Sequence, residues 1–289
     1  MRAEHDFFHL VPPEMKRFLL PTFGFREDGA SASYAMERMS VPDAALQIVH
    51  NSFTPTSFDR LLDLFFEFVA ARERRPMARE GVRREADSGI LAKTDRRIDA
   101  LMESAAGEQL DRLLASATDL GGVRDLQARA TRLITRRLDA DSTDHLAVSH
   151  GDPCLSNILF HRDLGLFRLI DPRGSTTLDG SLMHPAYDVA KFSHSILGGY
   201  DFINNGLFEC RLDGENQLAL HLDDRGPPAW MQAAFRARMV AEGYDPALVR
   251  AIELSLFVSM LPLHADVPRK LPAFCLTAAA IIQELESLA

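Results

Sequence analysis

The chain is poor in cysteine and in lysine and carries no long apolar run. Three cysteines, Cys154, Cys210 and Cys275, are spread over 289 residues. Their number is odd, they lie far apart, and no Cys-x-x-Cys occurs, which argues against a disulfide framework and against a thiolate zinc site. Such usage suits a reducing, cytoplasmic setting. Residues 1–25 thread Glu4, Asp6, Glu14, Lys16 and Arg17 through the apolar positions, so no signal-peptide core is present. The longest apolar stretch, Leu254 to Leu263, is interrupted by Ser255, Ser259 and Pro262. It is about half the ~20 residues that a membrane span needs. No internal repeat or low-complexity tract occurs. His-Glu-x-x-His and Gly-x-Ser-x-Gly are missing, which removes the commonest hydrolase signatures.

What is present is an ordinary globular balance, 46% apolar and 25% charged residues. The length corresponds to one or two domains of about 100–200 residues. It suffices for a sizeable core without disulfide or metal staples. Acidic side chains outnumber basic ones, 41 to 32, for a formal charge of −9. A negative surface repels phosphate backbones, so nucleic acid is not an expected partner, nor is a membrane.

The pattern along the chain divides it unevenly. Residues 4–19 read as a helix that Pro12-Pro13 must break or restart. Residues 33–39, Ser-Tyr-Ala-Met-Glu-Arg-Met, read as a strand, and Pro42-Asp43 punctuates. From about 55, Phe58, Leu61, Leu62, Phe65, Phe68 and Val69 follow helical spacing, with Thr56 and Asp59 resembling a capping box. The arginine-rich residues 72–97 read as a solvated helix face, the alternative being a binding patch for an anionic ligand. Helix continues over 109–138, interrupted near Gly121-Gly122. Short strands are expected at 146–149, 157–161 and 166–170, the last two joined by a tight turn at Asp163-Leu-Gly165. After Pro185 helices return, one ending at Gly198-Gly199. A hairpin is expected around Asp213-Gly214. Pro228 and Pro246 suit first helical positions, the latter behind Asp245 as cap. The expected fold class is α+β: a small mixed part over residues 1–41, then a large, mainly helical part over 42–289 with a β-hairpin at its centre.

The chemistry concentrates in His150-Gly-Asp152-Pro-Cys-Leu-Ser-Asn157 and Leu169-Ile-Asp171-Pro-Arg173-Gly174. Two carboxylates and an amide oxygen fall at one end of the expected hairpin, where all would face one pocket. Magnesium prefers hard oxygen ligands and takes one or two from protein, the rest from phosphates and water. Asn157 and Asp171 suit that role, and Asp152 suits a base for an attacking hydroxyl. His161-Arg162-Asp163 spells a kinase triplet more literally. However, the residue five after Asp163 is Arg168, which cannot bind magnesium, and Asp163 falls in the expected turn.

His-x-Asp-x-x-x-x-Asn followed by a metal-binding Asp is the kinase catalytic-loop pattern. In its His-Gly-Asp and Ile-Asp-Pro-Arg-Gly form it resembles the aminoglycoside phosphotransferase and choline kinase-like family. The likeness extends to Tyr187-Asp188-Val-Ala-Lys191 and to the strand Tyr34–Met39. It implies a protein kinase-like fold, ATP and magnesium as cofactors, and a small-molecule hydroxyl as acceptor. Asp152 would be the catalytic base, and Asn157 and Asp171 the metal ligands. His150 and Asp188 would support the loop, and the backbone around Glu37 to Met39 would meet the adenine. The acceptor pocket would be built from the helices after 185.

The chain departs from that pattern at its start. It has four lysines, Lys16, Lys93, Lys191 and Lys270, none in a Val-Ala-x-Lys-like strand, and no Gly-x-Gly-x-x-Gly. If residues 4–19 match the family's Glu-bearing helix, Glu4 is the acid that a strand lysine would pair with. The first strands of the N-terminal lobe are then missing, and a fused or partner domain would supply them. In a genuinely reduced protein, Arg173 is a candidate for holding phosphate. The expected function is transfer of a phosphoryl group from ATP to a hydroxyl of a small molecule, aminoglycoside, choline-like or sugar-like. The alternative is a non-catalytic kinase-like nucleotide-binding or scaffold protein.

Overall fold

Proline placement cuts the N-terminus into short pieces. In the computed structural model, which describes residues 1–215 and 217–288, α1 (Arg2–Leu10) ends before Pro12. Pro13 restarts a single turn, α2 (Pro13–Lys16), from the first helical position, where its missing N–H costs nothing. β1 (Thr22–Glu27) and β2 (Ala32–Met36) form an antiparallel hairpin with Thr22 opposite Met36. The strand expected at 33–39 therefore stops at Met36. β1 escapes the sequence pattern because only Thr22 in it is buried and no alternation results.

Asp43 caps α3 (Ala44–Val49) by accepting from the Leu46 amide at 2.7 Å. α4 (Pro55–Ala71) buries the expected face, Phe58 through Val69. Its cap is Thr54 with Ser57, not Thr56 with Asp59, because Pro55 occupies the first helical position and fixes the start two residues earlier. The arginine-rich segment is not one solvated helix. It opens with a strand, β3 (Arg74–Pro76), and continues through α5 (Arg79–Ala86), a π-helical turn over Asp87–Ala92 and α6 (Lys93–Met102). α7 (Ala105–Ala117) and α8 (Val123–Ala140) flank Gly121-Gly122.

β4 (His145–Val148) is followed by the hairpin of β5 (Ile158–His161) and β6 (Leu166–Leu169), with Phe160 opposite Phe167. Gly165 closes the turn at φ 58°. β7 (Leu182–Met183) completes a three-stranded sheet in the order β3-β4-β7. α9 (Tyr187–Ile196) and α10 (Tyr200–Asn204) meet at Gly199. β8 (Phe208–Leu212) and β9 (Leu218–Leu222) pair as the hairpin around Asp213-Gly214, in whose loop Asn216 lies outside the described residues. α11 (Ala229–Ala241) follows, with Pro228 one residue ahead of its first turn as the cap residue. α12 (Pro246–Ser259) and α13 (Lys270–Ser287) close the chain, Asp245 capping α12.

α12 is the centre of the helical body. Every residue from Ala247 to Ser259 is buried, as a helix apolar on all sides requires. It packs on α8, α9 and α13. The apolar stretch 254–263 is thus core, and no helix among the described residues is long and apolar enough to cross a membrane. The N-terminal part joins the body through backbone bonds. Leu169 donates to the Phe18 carbonyl at 2.7 Å, and Leu20 donates to the Leu169 carbonyl at 3.2 Å. The strand–loop junction that ends in Asp171 is therefore fixed between the two parts.

Candidate active site

The loop from Ser149 to Leu155 is held from below by α9. Positions 188, 191 and 195 recur on one helix face, and all three meet the loop. Asp188, fully buried, accepts from the backbone N–H of His150 at 3.1 Å and of Gly151 at 2.9 Å. Arg72, at the end of α4, donates to the same carboxylate at 3.0 Å and to the Pro185 carbonyl at 2.8 Å. Ser195 accepts from the Leu155 amide at 3.2 Å. His150 is fully buried, and its Nδ1 accepts from the Asp152 amide at 3.3 Å. Burial holds this imidazole below its usual pKa, so it stays neutral and can accept there.

Asp152 projects from this loop into a cavity of about 320 Å³. Lys191 Nζ lies 2.9 Å from Asp152 Oδ1, a charge contact across 39 residues of sequence. Burial alone would raise the Asp152 pKa; Lys191 outweighs it and holds the carboxyl below its ordinary value. Asp152 is thus ionised at neutral pH. Asp171 lines the same cavity, with its backbone at φ 56°, a conformation that non-glycine residues seldom adopt. Its carboxyl shifts the other way, raised by burial, then by Glu4, then by Asp152. Two carboxyls pushed apart in pKa mark an acid–base or cation site.

The other expected site residues fall in different places. Asn157 does not line the cavity. Its Nδ2 donates to the Asp152 carbonyl at 2.9 Å, and its Oδ1 makes no hydrogen bond among the described residues. Arg173 lines the cavity beside Asp171. Glu37 is exposed and Met39 half-buried, and neither borders a cavity next to Asp171. The narrow apolar cleft there is bordered instead by Tyr34, Met36 and Ile170. Glu4 also lines it, accepting from Tyr34 Oη at 3.3 Å and pairing with the N-terminal amine at 3.2 Å. Asp163 sits in the hairpin turn, away from the cavity. Among the described residues, no group of three or more His, Cys, Asp or Glu is placed to hold a metal.

Sequence reasoning weighs residues 72–97 as an anionic-ligand patch, second to a solvated face, but singles out neither Lys93 and Arg97 there nor Lys191 and His194 on α9. Lys191 lies three residues after Asp188, on the helix face that meets the loop. That spacing was the available signal for its pairing with the loop acid.

No family model matches the chain, and no curated protein matches it. Among solved structures, the chain resembles a glucosamine kinase in complex with glucosamine, ADP and inorganic phosphate, with a TM-score of 0.52 at 19% identity. The alignment covers 89% of this chain and 66% of that one, so the chain spans somewhat less than two thirds of that kinase's length. At this identity the likeness shows a common fold: a mixed α+β architecture that a small-molecule kinase also uses.

Proposed function

We propose that the chain transfers the γ-phosphoryl group of ATP to a hydroxyl of a small molecule. The observation that carries this reading is the ionised Asp152, held by Lys191 on the cavity floor with Asp171 on the same lining. In the proposed reaction Asp152 orients the acceptor hydroxyl and takes its proton as the oxygen attacks phosphorus, and ADP leaves. Lys191 keeps Asp152 unprotonated and fixes its position. Arg173 meets the phosphates.

In this reading Asn157 and Asp171 would hold a magnesium ion. Among the described residues the Asn157 Oδ1 makes no hydrogen bond, and Glu4 and Asp152 load the Asp171 carboxyl with negative charge. Magnesium, when bound, neutralises charge on the phosphates and orients them. The adenine belongs in the cleft between β2 and Ile170. That cleft holds only about 20 Å³ as it stands and must widen to admit the base.

The test is calorimetric titration of the full chain with ATP, with and without magnesium, for the wild type and Asp171→Ala. Turnover assays on Asp152→Asn follow. Expected are magnesium-dependent binding that Asp171→Ala loses, and turnover in Asp152→Asn reduced by about 10²–10⁴ with ATP still bound. Unchanged turnover in a folded Asp152→Asn would sink the reading.

A further inference from the structure

Besides Lys191 and Arg173, the cavity beneath Asp152 is walled by two cations that the reaction as described does not use. Lys93 and Arg97 stand one helical turn apart on α6 and line it together with Arg173. Lys93 is 8% exposed, and among the described residues its Nζ hydrogen-bonds the Tyr187 hydroxyl alone, at 2.8 Å. Arg97 donates to the Ser259 carbonyl at 3.2 Å. None of the three is ion-paired with a carboxylate among the described residues. Glu85 is the acid nearest in influence, but it is engaged with the His184 amide at 3.0 Å.

A buried ammonium without a counter-charge is costly, and folds keep one where a ligand supplies the missing anion. The surrounding groups report the same positive potential. Burial pushes the Lys93 pKa down; Tyr187 opposes this, while Arg173 and Lys191 push it further down. Burial would raise the Tyr187 phenol, yet Lys93 and Lys191 bring it below its usual value. On the same lining His194 is 2% exposed, and neither ring nitrogen has a hydrogen-bond partner among the described residues. Its ring stacks on Tyr200 at 4.3 Å. Burial and the neighbouring cations keep it neutral, so it offers one donor and one acceptor to whatever fills the cavity.

We propose that Lys93 and Arg97 bind a phosphate or carboxylate group carried by the acceptor, with His194 hydrogen-bonding one of its hydroxyls. The acceptor is then a hydroxylated small molecule with its own negative charge. An amine would meet like charge at this wall. The assignment of this anion to the acceptor rests on the phosphotransferase reading, whereas the anion site itself does not.

The probe is inorganic phosphate, titrated calorimetrically into the full chain as wild type, Arg97→Ala and Lys93→Met. Magnesium–ATP is titrated into wild type and Arg97→Ala alongside. The wild type binds phosphate, and Arg97→Ala weakens it by about tenfold or more. Lys93→Met loses phosphate binding and melts at a higher temperature than wild type in phosphate-free buffer, because it removes an unpaired buried charge. Affinity for magnesium–ATP is unchanged in Arg97→Ala. Absence of phosphate binding in the wild type overturns the proposal, as does phosphate binding untouched in both variants. An equal loss of phosphate and ATP in Arg97→Ala also overturns it, by assigning the cations to the nucleotide. Because phosphate binding is read without nucleotide or turnover, a wild type that binds phosphate but not ATP would sink the phosphotransferase reading and leave the anion site standing.

Discussion

Replacing Arg72 by Met tests how the loop bearing Asp152 is held. The guanidinium and the Asp188 carboxylate are 2% and 0% exposed and lie 3.0 Å apart. Removing one partner of a buried pair leaves a charge without compensation and costs about 3–5 kcal/mol. Two features bear on where in that range the cost falls. Asp188 keeps the amides of His150 and Gly151, which soften the loss. Arg72 also serves the carbonyls of Val69 and Pro185, which would be left without it. Met fills the space of the stem, so cavity formation adds little. For a chain of this size each kcal/mol corresponds to about 2–4 °C, so the melting temperature should fall by about 6–20 °C. Urea denaturation gives the free energy directly. The double variant Arg72→Met with Asp188→Asn no longer buries an uncompensated carboxylate, and it should be more stable than Arg72→Met alone. A loss below about 1 kcal/mol in Arg72→Met, the range of an exposed pair, would refute the reasoning. So would a double variant whose loss is the sum of the two single ones.

Two further substitutions probe neighbouring features. Gly174 has φ 61°, and a Cβ there would lie 2.3 Å from the Ala3 carbonyl oxygen of α1; Gly243, at φ 82°, has nothing within 4 Å. Gly243→Ala should therefore cost only the left-handed penalty of about 1–2 kcal/mol, and Gly174→Ala clearly more; equal losses in urea denaturation would show that α1 does not press on this loop. Burial raises Asp201 to about 7, against the opposing Ser195. Between its unfolded value near 3.8 and about 7 the folded state holds the extra proton, so this group's contribution falls as pH rises through that window and is flat above it. Asp201→Asn should remove that slope and be the more stable protein at pH 8; an unchanged slope between pH 5 and 8 in denaturant midpoints would contradict this.

Local signals carried the reading of the central hairpin. Asp163-Leu-Gly165 between two short apolar runs specifies a turn, and Asp152 and Asp171 at its flanks reach one cavity because hairpin ends lie together. The break at Pro12-Pro13 and the Phe58–Val69 face were legible for the same reason, since each depends on residues within one or two turns. The cap of α4 was misplaced at Thr56 and Asp59, because the reading did not use Pro55, which sets it at Thr54. β3 was not legible, because Arg74–Pro76 becomes a strand only by pairing with Leu146 and its neighbours, about 70 residues away. The same limit hid the cavity's cations. Lys93 reads as one more polar position in an arginine-rich helix, and only the packing of α6 against Tyr187 buries it. Glu37 and Met39 were placed by resemblance, and the chain turns outward after Met36, leaving them off the cleft.

The junction at Leu169 acts as a splice. The segment Phe18–Leu20 lies along β6 as a parallel bridge, using both the N–H and the C=O of Leu169. Asp171 follows two residues later, in a backbone conformation with little room to adjust. If a base enters the cleft as proposed, the N-terminal hairpin must move to widen it. That movement pulls on the strand leading into the loop that carries Asp171. Occupancy of the cleft and the setting of that carboxylate would then be coupled through the Leu169 backbone.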